Sequence, residues 1–239
     1  MTTEPVRPTV RIFADGADMA SIRKLVDDPR IAGFTTNPTL MRKAAVDDYV
    51  RFAHELLEAV PDRPVSFEVF SDDFDEMAVQ ARRISSWGEH VYVKIPITNT
   101  EGASSLGLVR RLSGEGVKVN VTALLTAAQV EQAAAALAGG APAFVSVFAG
   151  RIADTGREPE PVMVRALDTL APLDGVDLIW ASPREVLNIV QADRIGCHII
   201  TVTHDLLAKL WLLNRDLDEF SLDTVKMFHR DAAAAGYSL

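Results

Sequence analysis

Lys94 lies in the run Val91-Tyr92-Val93-Lys94-Ile95-Pro96-Ile97-Thr98, where Val91, Val93 and Ile95 alternate with Tyr92 and Lys94. That alternation reads as a β-strand with an apolar face and an amine on the other side. Burial disfavours an ammonium, and a desolvated lysine can act as the nucleophile that forms a Schiff base with a carbonyl substrate. Taken alone, the segment fits equally a strand-end lysine that snorkels to solvent or pairs with a carboxylate. Other polar residues recur at comparable places. Asp15 closes one β-rich run, Asn37 follows the next, and Glu68 sits in a third. Asn120 and Thr122 share a face of one run, and Ser146 and Phe148 share a face of another; Arg151, Ser182 and Arg184 lie just beyond runs. Singly, Asp15 suits a turn, Asn37 a helix cap, Glu68 a surface edge and Ser146 a small core position. Their coincidence at strand ends is what points to a site.

The elements that must position them alternate along the chain. β-rich runs occupy residues 10–15, 33–36, 65–70, 91–95, 118–123, 143–148, 177–181 and 198–202. Between them, 18–27, 47–59, 73–87, 101–114, 126–138, 160–171 and 183–192 have the length and periodicity of amphipathic helices. The Ala-rich stretch 133–138 reads as the end of a helix stopped by Gly139-Gly140. Pro38 and Pro183 each follow a strand, where proline can take an early helical position. Eight strand–helix repeats predict an α/β fold, a single (β/α)8 barrel, with catalytic groups at the C-terminal ends of its strands. A doubly wound sheet would more often carry a Gly-rich phosphate turn after its first strand, and neither G-x-G-x-x-G nor a Walker pattern occurs. Residues 1–9 are expected to form a flexible leader and 10–239 one barrel domain, including additional C-terminal helices over 206–213 and 222–235.

Composition narrows the partners. The 239 residues are 48% hydrophobic, ample for a large core, and carry a net charge of -9. That charge argues against a nucleic-acid surface, while local arginines can still gather a small anion. Small-molecule substrates are expected. No secretory pattern opens the chain and no apolar run approaches the roughly 18 to 20 residues of a membrane span, so a cytoplasmic protein without membrane contact is expected. Cys197, the only cysteine, precedes an apolar run and reads as a core residue. His54, His90, His198, His204 and His229 lack metal-ligand spacing, and no metal is expected.

In order along the chain come Phe13-Ala14-Asp15-Gly16-Ala17-Asp18, Thr35-Thr36-Asn37-Pro38, Val93-Lys94-Ile95-Pro96, Asn120-Val121-Thr122-Ala123, Ser146-Val147-Phe148-Ala149-Gly150-Arg151-Ile152 and Ala181-Ser182-Pro183-Arg184. Each is weak alone; in this order, from Phe13 to His198, they resemble the transaldolase family, especially its small members that include the fructose-6-phosphate aldolases. The resemblance implies that Lys94 attacks the C2 carbonyl of a ketose phosphate, with no cofactor, and that the resulting imine is the electron sink for C3–C4 cleavage. Asp15 would take the C4 hydroxyl proton, and Glu68 would work through a water held by Thr122. Asn37 and Asn120 would hold hydroxyls of the dihydroxyacetone unit, with Ser146 at C1. Arg151 and Arg184, with Ser182, would bind the distal phosphate.

Glu68 and Phe148 have transaldolase character where fructose-6-phosphate aldolases typically carry glutamine and tyrosine, so the resemblance implies transfer of the three-carbon unit. Without a tyrosine hydroxyl to assist its protonation, the carbanion waits for an aldehyde acceptor. The implied role is the non-oxidative pentose phosphate pathway, by a homo-oligomer. The alternatives are an aldolase that releases dihydroxyacetone, a specialised transferase building a long-chain sugar phosphate, and a non-catalytic sugar-phosphate-binding barrel. Two departures stand out. Gly16 takes the place after the first-strand aspartate where threonine is commoner in the family, and Pro183 stands where an aromatic residue is common between the serine and the basic residue.

Overall fold

The computed structural model describes residues 8–237. Its centre is a closed parallel barrel in the order β1-β2-β3-β4-β5-β6-β7-β8. The strands are β1 (Arg11–Asp15), β2 (Ile31–Thr35), β3 (Val65–Glu68), β4 (Val91–Pro96), β5 (Val119–Leu124), β6 (Ala143–Val147), β7 (Val176–Trp180) and β8 (Ile199–Thr203). All eight match the β-rich runs to within a residue or two. Their alternating side chains serve two cores. Val91, Val93 and Ile95 belong to the large layer between strands and helices, while Phe13, Phe144, Ile179 and Ile199 fill the barrel with Tyr92 and Phe148 packed on them. Tyr92 stacks on Phe144 with ring centroids 3.8 Å apart. The interior is a packed plug beneath a polar rim.

The helices are α1 (Met19–Leu25), α2 (Pro38–Lys43), α3 (Tyr49–Ala59), α4 (Phe74–Ser85), α5 (Leu106–Gly114), α6 (Ala127–Leu137), α7 (Ala149–Asp154), α8 (Glu160–Leu170), α9 (Leu187–Arg194), α10 (His204–Leu207) and α11 (Leu217–Ala235). Asp18, Asp48, Asp73, Thr126 and Asp216 cap α1, α3, α4, α6 and α11 with side-chain acceptors. α6 ends before Gly139, whose φ of 74° fits the glycine stop.

Several expected boundaries are corrected. Pro38 does open α2, but Pro183 opens no helix: Ser182 is left-handed at φ 61°, and the backbone amides of Arg184 and Glu185 bond to the Asn188 side chain, so α9 begins only at Leu187. α5 begins at Leu106, because the segment before it is a turn closed by the Thr98–Ser104 bridge. The helix expected over 206–213 divides into α10 and a 3-10 turn, Leu210–Leu212. The leader expected over 1–9 lies outside the described residues except for Pro8 and Thr9, and the Thr9 hydroxyl donates to Asp193 at 2.8 Å. Cys197 is buried in the large core, which pushes its thiol up to about 12. No described helix is long and apolar enough to cross a membrane.

Candidate active site

Register assembles the centre of the rim. Glu68 pairs with Lys94 across β3 and β4, and Lys94 with Asn120 across β4 and β5, so three inward side chains lie in one row. Lys94 Nζ is 3.0 Å from Glu68 Oε2, and the two side chains are 8% and 16% exposed. Lys94 therefore takes the paired arrangement that its segment allowed, but inside the barrel rather than at its edge. Nζ also donates to the Thr36 carbonyl at 2.8 Å. That carbonyl is free because the β2–β3 ladder ends at Thr35 and Ser66, after two register pairs.

Asp15 stands across the rim from this row. Thr35 Oγ1 donates to its carboxylate at 2.8 Å and also bonds Thr201 beneath it. Burial raises the Asp15 carboxyl above its ordinary range, opposed by the Lys94 charge and the Thr35 hydrogen bond, while the Glu68 charge pushes it further up. Two carboxylates thus share the field of one ammonium. Asn120 Nδ2 donates to Ser66 Oγ at 3.1 Å and its Oδ1 accepts from Ser146 Oγ at 2.7 Å, tying β3, β5 and β6 together. Thr122 is buried, and its Oγ1 has no hydrogen-bond partner among the described residues. The next residue, Ala123, is left-handed at φ 66° where the β5–β6 register shifts. Such a conformation is costly for alanine, and it sits one residue past Thr122, which shares its face with Asn120 by alternation.

The two arginines follow adjacent strands, Arg151 on α7 after β6 and Arg184 on the loop between β7 and α9. Arg151, on α7, lies 5.0 Å from the Phe148 ring, a cation–π contact that holds an exposed guanidinium at the mouth. Arg184 forms a forked pair with Asp154, its Nε 3.0 Å from Oδ1, and holds that carboxyl below the usual range. Gly150 lets α7 and that loop meet, since a Cβ there would lie 1.6 Å from the Ser182 carbonyl oxygen. Gly16 has a similar reason: a Cβ would come within 2.5 Å of His204 Nε2, so the imidazole occupies the space that a side chain after Asp15 would need. A cleft of about 580 Å³ opens there, lined among others by Asp15, Gly16, Asp18, Lys43, Arg184 and His204.

The anticipated residues therefore gather at one end of the barrel, with two qualifications. The Asn37 oxygen caps α2 by accepting from the Leu40 amide at 3.0 Å, which leaves its NH2 as the group able to meet a ligand. Glu68 pairs directly with Lys94, so the carboxylate that the resemblance places behind a water also touches the amine itself. Ser66, Thr201 and Asp154 lie outside the motifs read from the sequence, and Thr35 lies within one, Thr35-Thr36-Asn37-Pro38, that gives it no role of its own. Ser66 alternates with Glu68 and was legible by that spacing; Asp154 carries no local signal, because only the folded loops bring it to Arg184.

A closed (β/α)8 barrel with a buried lysine and two carboxylates at the C-terminal ends of its strands has the architecture of barrel enzymes that work from that rim. The family model for transaldolase/fructose-6-phosphate aldolase matches residues 12–239. A probable transaldolase of Dehalococcoides mccartyi is 35% identical over 84% of this chain and 90% of its own length. One from Streptococcus agalactiae is 35% identical over 90% and 97%, and a probable transaldolase 2 of Listeria monocytogenes is 32% identical over 90% and 95%. Solved structures of a mandelate oxidase and of a protein described as native KDPGal share the barrel, each with a TM-score of 0.53 and 12% identity. The first covers 85% of this chain and 71% of its own, the second 83% and 85%. The chain belongs to the transaldolase/fructose-6-phosphate aldolase family, and the protein is an enzyme of the transaldolase type.

Proposed function

We propose that the enzyme moves a dihydroxyacetone unit from a ketose phosphate, fructose 6-phosphate or sedoheptulose 7-phosphate, to an aldose phosphate through a Schiff base on Lys94. The observation that carries this reading is the 3.0 Å contact between Lys94 Nζ and Glu68 at the rim that also holds Asp15. Glu68 takes the ammonium proton, and the freed amine attacks the C2 carbonyl to give a carbinolamine. Returning that proton to the departing hydroxyl expels water and leaves the protonated imine. Thr122 Oγ1, buried and without a hydrogen-bond partner among the described residues, would hold the water through which Glu68 passes this proton. Asp15 then removes the C4 hydroxyl proton, the C3–C4 bond breaks with its electrons drawn into the imine, and an aldose phosphate leaves. The enamine attacks an acceptor aldehyde, and the steps reverse.

Asn37, Asn120 and Ser146 hold the hydroxyls of the covalent unit, and Arg151, Arg184 and Ser182 hold the distal phosphate. The side chain of Phe148 has no hydroxyl with which to protonate the enamine, which favours transfer over release. This chemistry suits the non-oxidative pentose phosphate pathway, in the cytoplasm. A homo-oligomer is part of the reading, supported by α11, none of whose residues is buried. The test is fructose 6-phosphate with and without an aldose phosphate acceptor. The proposal expects a new ketose phosphate only with acceptor and little free dihydroxyacetone; release as fast as transfer would make the enzyme an aldolase. Phe148→Tyr should increase that release.

A further inference from the structure

We infer that Tyr49 is a positioning residue for Glu68, acting through the hydroxyl that it inserts where the β2–β3 ladder stops. β2 and β3 pair only at Phe34–Val65 and Thr35–Ser66, so the next backbone groups on the β2 side of β3 have no strand partner. Tyr49, the first residue of α3, fills that place: its hydroxyl accepts from the Glu68 amide and donates to the Glu68 carbonyl, both at 3.0 Å. Both polar groups of one residue are thus satisfied by one phenol. Burial holds the Tyr49 phenol above its ordinary range, so the donor half of the contact persists through the working pH range.

The ring is fixed in turn. It meets Phe67, Phe70 and Trp87 edge-on, at centroid distances of 6.1, 4.5 and 5.8 Å. Asp48 caps α3 by accepting from the Arg51 amide at 2.9 Å, which sets where Tyr49 enters. A frame that holds both backbone groups of Glu68 restricts where its carboxylate can lie against Lys94, and positioning of this kind decides whether a proton transfers within the reaction.

The inference rests on the proposed roles of Glu68 and Lys94, so its test reads one quantity that needs turnover and one that does not. Tyr49→Phe keeps the ring and removes the hydroxyl. In the otherwise native enzyme it should lower kcat for transfer from fructose 6-phosphate about tenfold with KM changed less than twofold. It should also raise, at least threefold, the rate at which methyl acetimidate labels Lys94 in the absence of substrate, because the amine loses its carboxylate partner. In a Glu68→Gln background the same change should alter neither rate by more than twofold, while any loss of melting temperature should be equal in both backgrounds. Equal kinetic losses in both backgrounds would assign Tyr49 a purely structural part and overturn the inference. So would native kcat and labelling in Tyr49→Phe. If the parent shows no transfer, the reaction reading fails, and the labelling comparison alone decides the role of Tyr49.

Discussion

At the scale of single residues, the site is a set of charges that burial makes interdependent. Asp15 is the clearest case, because its carboxyl is raised mainly by desolvation. The folded protein therefore binds that proton more tightly than the unfolded chain, and stability is lost as pH rises from the ordinary carboxylate range through the raised value. Asp15→Asn removes the penalty while still accepting from Thr35. Its melting temperature should exceed that of the parent at neutral pH, and the two should converge as pH falls below the ordinary carboxylate range. Its turnover should drop by about a hundredfold to ten thousandfold, the usual contribution of a general base. The arginines differ in another way. Arg151 faces solvent beside Phe148, whereas Arg184 is already engaged by Asp154. A charge-assisted contact to phosphate is worth about 1.5 to 3 kcal/mol, so Arg151→Ala should cost about ten- to a hundredfold in kcat/KM for fructose 6-phosphate. Arg184→Ala should cost less, and neither should affect an unphosphorylated ketose comparably; equal losses for both substrates would give the arginines to the fold.

At the scale of elements, the turns decide where those charges stand. The tightest approach is between the start of α7 and the turn at Ser182, where Gly150 leaves no room for a side chain against the Ser182 carbonyl. Gly150→Ala should separate the segments carrying Arg151 and Arg184, raising KM for fructose 6-phosphate and destabilising the fold by about 1 to 3 kcal/mol, as overpacking does. Thermal melts and steady-state kinetics check both. The eight strands were legible because parallel barrel strands are buried on both faces and read as short apolar runs, and the row Glu68, Lys94, Asn120 follows once those strands are in register. α2 and α7 were not delimited, since six residues give too few turns for a periodic signal. Pro183 misled for a different reason. The same X-Pro pattern opens α2 after Asn37, yet at Ser182 a left-handed turn intervenes, and nothing in three letters distinguishes the two. Tyr49 and Asp154 reach their partners only through tertiary packing, so no local spacing could have revealed them.

At the scale of the whole molecule, α11 is the part least accounted for by one chain. Its Leu222, Val225 and Phe228 are more than half exposed and recur at three-residue spacing on a 19-residue helix. Exposed apolar side chains aligned on one helix are what contact between copies would cover. Light scattering should give a mass of several chains for the protein and of one chain after removal of residues 216–239, with the barrel still folded; a monomer in both cases would end the homo-oligomer proposal. The central claim concerns the chemistry that the barrel concentrates at Lys94, and intact-protein and peptide mass spectrometry after borohydride reduction with fructose 6-phosphate tests it directly. The account predicts one reduced three-carbon adduct, on Lys94, and neither adduct nor turnover in Lys94→Ala. Lys118 is the internal control, because it precedes β5 at the opposite end of the barrel and donates to the Glu89 carbonyl at 2.8 Å. An adduct on Lys118 instead, no adduct at all in an active enzyme, or turnover surviving Lys94→Ala would contradict the Schiff-base mechanism.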